Sequence, residues 1–207
     1  MSKAEKTKAF IIEQSADLFN TKGYRDTSLS DIVEVTGLTK GAIYGNFQDK
    51  DELALAVFHH NFTSLIERLD KVIDPQKSAT DKLKALTSYY RDNWERMFER
   101  GGCPILNASV EADDNFDNLK KHVQDSINTW VGGICKIIER GQATGEFKTQ
   151  IVAMAYAYTI VSLLEGGIML AKIMDDSKLL LLSLDRIDFM VANEIRKPGI
   201  FQMYRWV

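Results

Sequence analysis

Proline is scarce in this chain, 3 in 207 residues, so little in the sequence would kink or stop a long helix. Cysteine is scarcer still: Cys103 and Cys135 are the only two, too few for a disulfide framework. With no apolar signal segment at the N-terminus, a reducing, cytoplasmic interior is the expected compartment. No low-complexity tract or fixed-period repeat is present, which argues against a disordered chain or a solenoid. The longest uncharged run, residues 149–164, stops at Glu165 and falls short of the roughly 18 apolar residues of a spanning helix. It reads as a buried core helix, and no membrane partner is expected. The three histidines, His59, His60 and His122, stand in no ligand-spaced motif, and there is no phosphate loop or nucleophile elbow. Neither a metal nor a cofactor is therefore expected.

What is abundant is Ala, Leu, Lys, Glu and Asp in a chain that is 45% hydrophobic, which favours an all-α protein. The net charge of −3 is unevenly placed. Residues 1–50 carry seven basic and seven acidic side chains, leaving 19 basic and 22 acidic beyond them. The N-terminal segment is neutral, and total charge alone does not settle what it binds.

Periodicity divides that segment into short helices. Ile12, Ala16 and Phe19 recur at helical spacing and Gly23 follows as a stop. Ser28 with Asp31 forms a capping pattern ahead of Ile32, Val33 and Val35, and Gly37 ends that second helix. A three-residue turn leads to Thr39, whose hydroxyl can cap a third helix with Ala42, Ile43 and Phe47 inward. Asp49 with Glu52 starts a fourth. Two short helices joined by a Gly-containing turn are the mark of a helix-turn-helix, and a helix of this length suits a DNA major groove when neighbours brace it from behind. Lys40, Gly41, Tyr44, Gly45 and Asn46 are left on the outer surfaces. Thr27, Ser28 and Lys50 lie at helix starts, where donors face phosphates well.

These residues carry a resemblance. The segment 11–58, with Leu18-Phe19, Lys22-Gly23-Tyr24, Thr27-Ser28, Gly37-Leu38-Thr39-Lys40-Gly41, Ile43-Tyr44, Asn46-Phe47 and Asp49-Lys50-Asp51-Glu52-Leu53, is similar to the DNA-binding domain of the TetR/AcrR family of bacterial transcriptional regulators. The resemblance implies phosphate contacts from Thr27, Ser28, Tyr44, Asn46 and Lys50. It places Ser30, Thr39, Lys40, Gly41 and Ala42 closest to base edges. It further implies a homodimer formed through the last two helices, a palindromic double-stranded operator, a small-molecule effector, and repression as the commoner mode of action. Two positions depart from the usual pattern: Thr36 stands for a small apolar residue, and Gly45-Asn46 for a bulkier aromatic-His pair.

The remainder reads as a larger helical bundle, giving about nine helices in all, with residues 1–49 as the DNA-binding domain and 50–207 as the ligand-binding and dimerisation domain. Helices are expected over 50 to about 72, 79–99, 105–112, about 119–141, 151–172 and 179–195. The last two are apolar on more than one face, as a homodimer interface requires. Candidate effector-binding residues are Tyr90, Trp94, Phe98, Cys103, Asn107, Trp130, Tyr158 and Glu165, with Tyr89 and Met154 beside them. Glu165 admits three placements: anchoring an effector, reaching the surface, or pairing across a dimer. Residues 101–114 resemble a segment found in some of these regulators that sense electrophiles or oxidants, so Cys103 is a candidate reactive thiol and, equally, a small buried residue in a tight connection. Glu111, Asp113 and Asp114 read as a solvated helix end. Two other classes compete: a cytosolic helical enzyme with Cys103 as nucleophile and His122 as base, and a helical adaptor that makes no DNA contact.

Overall fold

Ser2 opens the first helix with a reciprocal cap, its hydroxyl accepting from Glu5 N while Glu5 accepts from Ser2 N. A computed structural model of the chain describes residues 2–115 and 117–198. The C-terminal residues 199–207, whose docking or fraying the sequence leaves open, lie outside the described residues. Nine α-helices are present among the described residues: α1 Lys3–Lys22, α2 Leu29–Thr36, α3 Lys40–Tyr44, α4 Lys50–Ile73, α5 Ala79–Glu99, α6 Pro104–Asn115, α7 Asp117–Ala143, α8 Ala153–Ile173 and α9 Lys178–Met190. A π-helical turn, Val191–Ile195, closes α9. The all-α expectation holds, and most helix limits fall within a few residues of those read from periodicity.

The chain forms two compact units, one made of residues up to Glu67 together with Glu95–Ile127, the other of Arg68–Trp94 and the residues from Asn128 onward. The first unit thus extends past residue 49 along α4 and adds the end of α5, all of α6 and the start of α7.

In the first unit, the α1–α3 core is built from Ile11, Phe19, Tyr24, Ile32, Ile43 and Phe47, all essentially without solvent exposure. Phe47 lies just beyond α3, yet it is buried as its spacing from Ile43 predicts. Lys8 of α1 covers its ring at 4.7 Å and holds Glu52 at 2.7 Å. The start of α4 is tied by reciprocal bonds: Glu52 N donates to Asp49 Oδ1, and Gln48 N donates to Glu52 Oε2, both at 2.7 Å. Such tertiary bracing is what helices as short as α2 and α3 require, since neither would persist alone.

In the second unit, Glu146 accepts the first backbone N–H groups of α5, from Ala79 at 2.9 Å and Thr80 at 2.8 Å. Burial pushes this carboxyl's pKa up, but the hydrogen bonds at Thr80 and Ala79 and the charge of Arg196 outweigh it and hold the group below its ordinary value. Arg91 bridges Asp185 and Asp188 of α9, and Thr87 donates to Asp188 Oδ1. Leu180, Leu184 and Ile187 of α9 and Ile160, Leu164 and Ile168 of α8 are fully buried. The reading of α8 as a buried core helix holds for one of its faces. It is long and apolar enough to cross a membrane by composition, but Met154, Tyr158, Met169, Leu170 and Ile173 are exposed on it, as are Leu182 and Phe189 on α9. One face of α8 belongs to the core of this unit and the other is bare.

Candidate nucleic-acid interface

The turn between α2 and α3 is set by Gly37, whose φ of 66° and ψ of 11° are left-handed. A Cβ there would meet the following carbonyl, so the position selects glycine. Thr39 then caps α3 by accepting from Ala42 N at 3.2 Å. Thr36, unusual before this turn, is buried; its hydroxyl donates to Ile32 O at 2.6 Å and accepts from Leu38 N at 3.3 Å, so it helps shape the turn. Ile43 faces the core, which leaves Thr39, Lys40, Gly41 and Tyr44 exposed, Tyr44 at 55%, with Ala42 half-buried. Ser30 of α2 is exposed as well.

Ser28 caps α2 with a full reciprocal box. Its hydroxyl accepts from Asp31 N, and both its N–H and its hydroxyl reach Asp31 Oδ2 at 2.7 Å. Lys22 adds an ion pair to the same oxygen at 2.5 Å. The Lys22 hydrogen bond, with those from Ser28, holds the Asp31 carboxyl at about 2. A carboxyl with a depressed folded pKa contributes stability above its unfolded value and loses it as pH falls through the folded one. The cap is therefore constant near neutrality and comes apart between the ordinary value of 3.8 and about 2. In an acid titration followed by circular dichroism, Asp31→Asn is expected to remove the part of the stability loss that falls in that window, leaving a shallower acid limb than the unsubstituted chain shows.

The loop before α2 is gripped from several directions. Thr27 is fully buried, and its hydroxyl and N–H both go to Gly23 O, at 2.6 and 3.2 Å. It shapes the loop, and in this conformation both its donors are engaged by the backbone. Lys50 Nζ donates to Arg25 O at 2.6 Å, and two of its ammonium protons remain for an outside acceptor. Asn46 turns its amide onto Ala42 O at 2.8 Å. From α6, Glu111 accepts Tyr24 N at 3.0 Å and Arg25 N at 2.8 Å. The solvated helix end expected at Glu111 is thus a carboxylate clamp on this loop.

One turn earlier on α6, Asn107 donates through Nδ2 to Asn20 O, Asn20 Oδ1 and Gly101 O, at 3.0, 3.1 and 2.9 Å. Asn20 in turn donates to Arg100 O at 2.5 Å and Gly102 O at 3.2 Å. The end of α1 is sutured to α6 through these two asparagines. The sequence suggests an effector site for Asn107 and gives no role to Asn20 or a clamp at Glu111; the one available signal is the four-residue spacing of Asn107 and Glu111, which puts both on a single helical face. Replacing Glu111 by Ala leaves two loop N–H groups without a partner, at a cost of about 1–3 kcal/mol. The expected result is a lower urea midpoint and weaker duplex binding, both partly restored by Glu111→Gln, which keeps one carbonyl oxygen.

Ion pairs offset the charge of this unit on both signs: Lys22 meets Asp31, Lys8 meets Glu52 and Arg100 meets Asp17. Arg25 and Lys40 stay exposed, as do Asp26 and Glu34.

The expected effector residues fall in both units. Phe98, Cys103 and Asn107 belong to the first; Tyr90, Trp94, Trp130, Tyr158 and Glu165 belong to the second. Tyr90 and Trp130 are core side chains, Glu165 is half-buried, and Tyr158 is 47% exposed on α8. Cys103 is 1% exposed, just before the first residue of α6. His122, the other half of the enzymatic alternative, turns Nδ1 toward His59.

Comparison with known proteins agrees with this geometry. Residues 11–57 match the profile described as "Bacterial regulatory proteins, tetR family", and residues 79–184, just over half of the chain, match "Tetracyclin repressor-like, C-terminal domain". The crystal structure of a TetR-family transcriptional regulator from Cytophaga hutchinsonii is 33% identical, with 96% of this chain and 99% of that one covered and a TM-score of 0.92. A TetR transcriptional regulator from Chloroflexus aurantiacus is also 33% identical, with 96% and 100% covered and a TM-score of 0.89. The HTH-type transcriptional regulator TtgR of Pseudomonas putida is 28% identical over 165 residues, 75% of this chain and 77% of that protein.

Proposed function

The chain belongs to the TetR family of DNA-binding transcriptional regulators, and from that premise we propose that it is a cytoplasmic repressor, not an enzyme, that binds a palindromic operator as a homodimer and is released by a small-molecule effector. The observation that carries this reading is the outer surface of α2 and α3, where Ser30, Thr39, Lys40, Gly41 and Tyr44 stand exposed on helices whose caps and turn are locked. We assign Tyr44, Asn46 and Lys50 to phosphates, with Thr27 and Ser28 joining them when their present internal bonds open, and Ser30, Thr39, Lys40, Gly41 and Ala42 to base edges. Residues 1–49 act as the reading head and 50–207 as the body that pairs and responds.

Dimerisation is supported by the bare apolar side chains of α8 and α9, among them Ile173 at 74% and Leu182 at 63% exposure. A second copy is the partner that such a surface suits. Two reading helices on a twofold axis would occupy successive major grooves, about 34–36 Å apart or somewhat more. An effector in the larger domain releases the operator to the extent that its affinity differs between two arrangements of the protein. The Asn107 and Glu111 contacts give α6 a direct hold on the end of α1 and on the loop entering α2, so a displaced α6 would move the reading head.

Substituting Ile173→Asp together with Leu182→Asp tests the assembly. Both side chains are exposed, so the fold should persist, while sedimentation equilibrium should show a monomer and duplex binding should weaken sharply. A dimer that survives both changes would remove this interface.

A further inference from the structure

His59 of α4 and His122 of α7 both lie in the first unit, and their rings meet edge-on with centroids 4.6 Å apart and planes at 88°. His59 Nε2 stands 3.0 Å from His122 Nδ1. From this geometry we propose that the two imidazoles form a binding site for a late first-row divalent ion of the zinc, copper or nickel class, which bridges α4 to α7.

The spacing suits that role. With metal–nitrogen bonds of about 2.0–2.1 Å, two neighbouring ligands are about 2.9 Å apart at a right angle and about 3.3–3.4 Å apart in a tetrahedron. The observed separation falls between these values, so the helices need not move by more than a few tenths of an ångström. The rings must turn, because their contact now lies along the nitrogen–nitrogen line. The proton in that contact must also shift to the far nitrogen of its own ring, His59 Nδ1 or His122 Nε2, a tautomer change that releases no proton from a neutral pair.

Access and charge also fit. His59 is exposed and His122 half-buried, so an ion reaches them from solvent. Both rings present a lone pair in the neutral imidazole form in which histidine ligates metals. Imidazole ligands favour zinc, copper and nickel over magnesium or calcium. Among the described residues no group of three His, Cys, Asp or Glu side chains is placed to hold an ion, so water completes the coordination and the site is a labile one. His60 serves as an internal control, since it follows His59 on α4 and is not part of the pair.

The test uses the full chain without an affinity tag, stripped with a chelator. Zn²⁺ is followed by thermal melting and Cu²⁺ by electron paramagnetic resonance. One ion per chain, a melting temperature raised by Zn²⁺ and not by Mg²⁺, and copper hyperfine structure from two imidazole nitrogens are expected. His59→Ala and His122→Ala should each weaken binding on the order of tenfold or more, His59→Gln should do the same without disturbing the metal-free melt, and His60→Ala should leave binding unchanged. Unaltered affinity in both the His59 and His122 variants, an equal response to Mg²⁺, or loss of binding in the His60 variant would each overturn the assignment.

Discussion

Replacing Gly101 by alanine is expected to lower the stability of the chain by about 2–5 kcal/mol. Gly101 has a φ of 93°, and a Cβ built on it would lie 2.5 Å from Asn20 O and 2.9 Å from the Asn20 carbonyl carbon. The backbone conformation costs an L-residue about 1–2 kcal/mol, and overpacking against an atom that cannot rotate away adds about 1–3 kcal/mol. The obstructing atom is main chain, at the point where Asn107 also binds, so relief requires α1 to lift from the 100–107 connection. For a chain of this size the melting temperature should fall by roughly 5–15 °C. Duplex affinity should fall with it, because the displaced end of α1 leads directly into the Gly23–Arg25 loop that Glu111 and Lys50 hold. A calorimetric scan beside a binding titration checks both effects; a melting temperature within a degree of the unsubstituted protein would show that this contact is not part of the fold.

The second large effect concerns recognition without stability. Lys40 and Tyr44 are exposed on α3, and neither contributes to the core behind that helix. Changing both to alanine should leave the thermal melt unchanged and weaken operator binding on the order of a hundredfold, taking about 1–3 kcal/mol for each direct contact. A lysine on a phosphate also lowers the slope of log affinity against log salt by about 1 when removed, whereas a lysine on a base edge changes sequence preference at one position. The salt titration of Lys40→Ala therefore distinguishes the two roles, and placing Lys40 at a base edge requires the second.

The features legible in the sequence were those fixed by neighbours a few residues apart. Ser28 with Asp31, Gly37, Thr39 and Asp49 with Glu52 set the limits of α2, α3 and the start of α4 through contacts of three or four residues, and each forms as its spacing requires. The buried positions of α4, Leu53, Val57, Leu65 and Leu69, followed from one helical stripe. The family resemblance then supplied a role for the exposed side of α3 that periodicity alone could not.

What stayed hidden depends on contacts between distant residues. Glu111 lies 86 or 87 positions from the loop it clamps, and a carboxylate near a helix end looks the same in sequence whether it meets water or two backbone amides. Thr27 is similar: a hydroxyl ahead of a helix suggests an anion contact, and its burial, which the sequence does not announce, turns the group inward onto Gly23. The His59–His122 pair is likewise invisible one-dimensionally, because the two rings are brought together only by the packing of α4 on α7. The bare face of α8 was half legible: apolarity announced that the helix is covered, but not which of its sides the chain itself covers.

In the proposed function, the surface formed by α2 and α3 reads double-stranded DNA from a paired protein. The most direct measurement is selection of fragments from a sheared genomic pool by the purified chain at low ionic strength, followed by sequencing of what is retained. The expected result is an inverted repeat with half-sites about one helical turn or somewhat more apart, lost when Lys40 and Tyr44 are replaced. Fragments retained without any shared motif, or none retained at all, would contradict it.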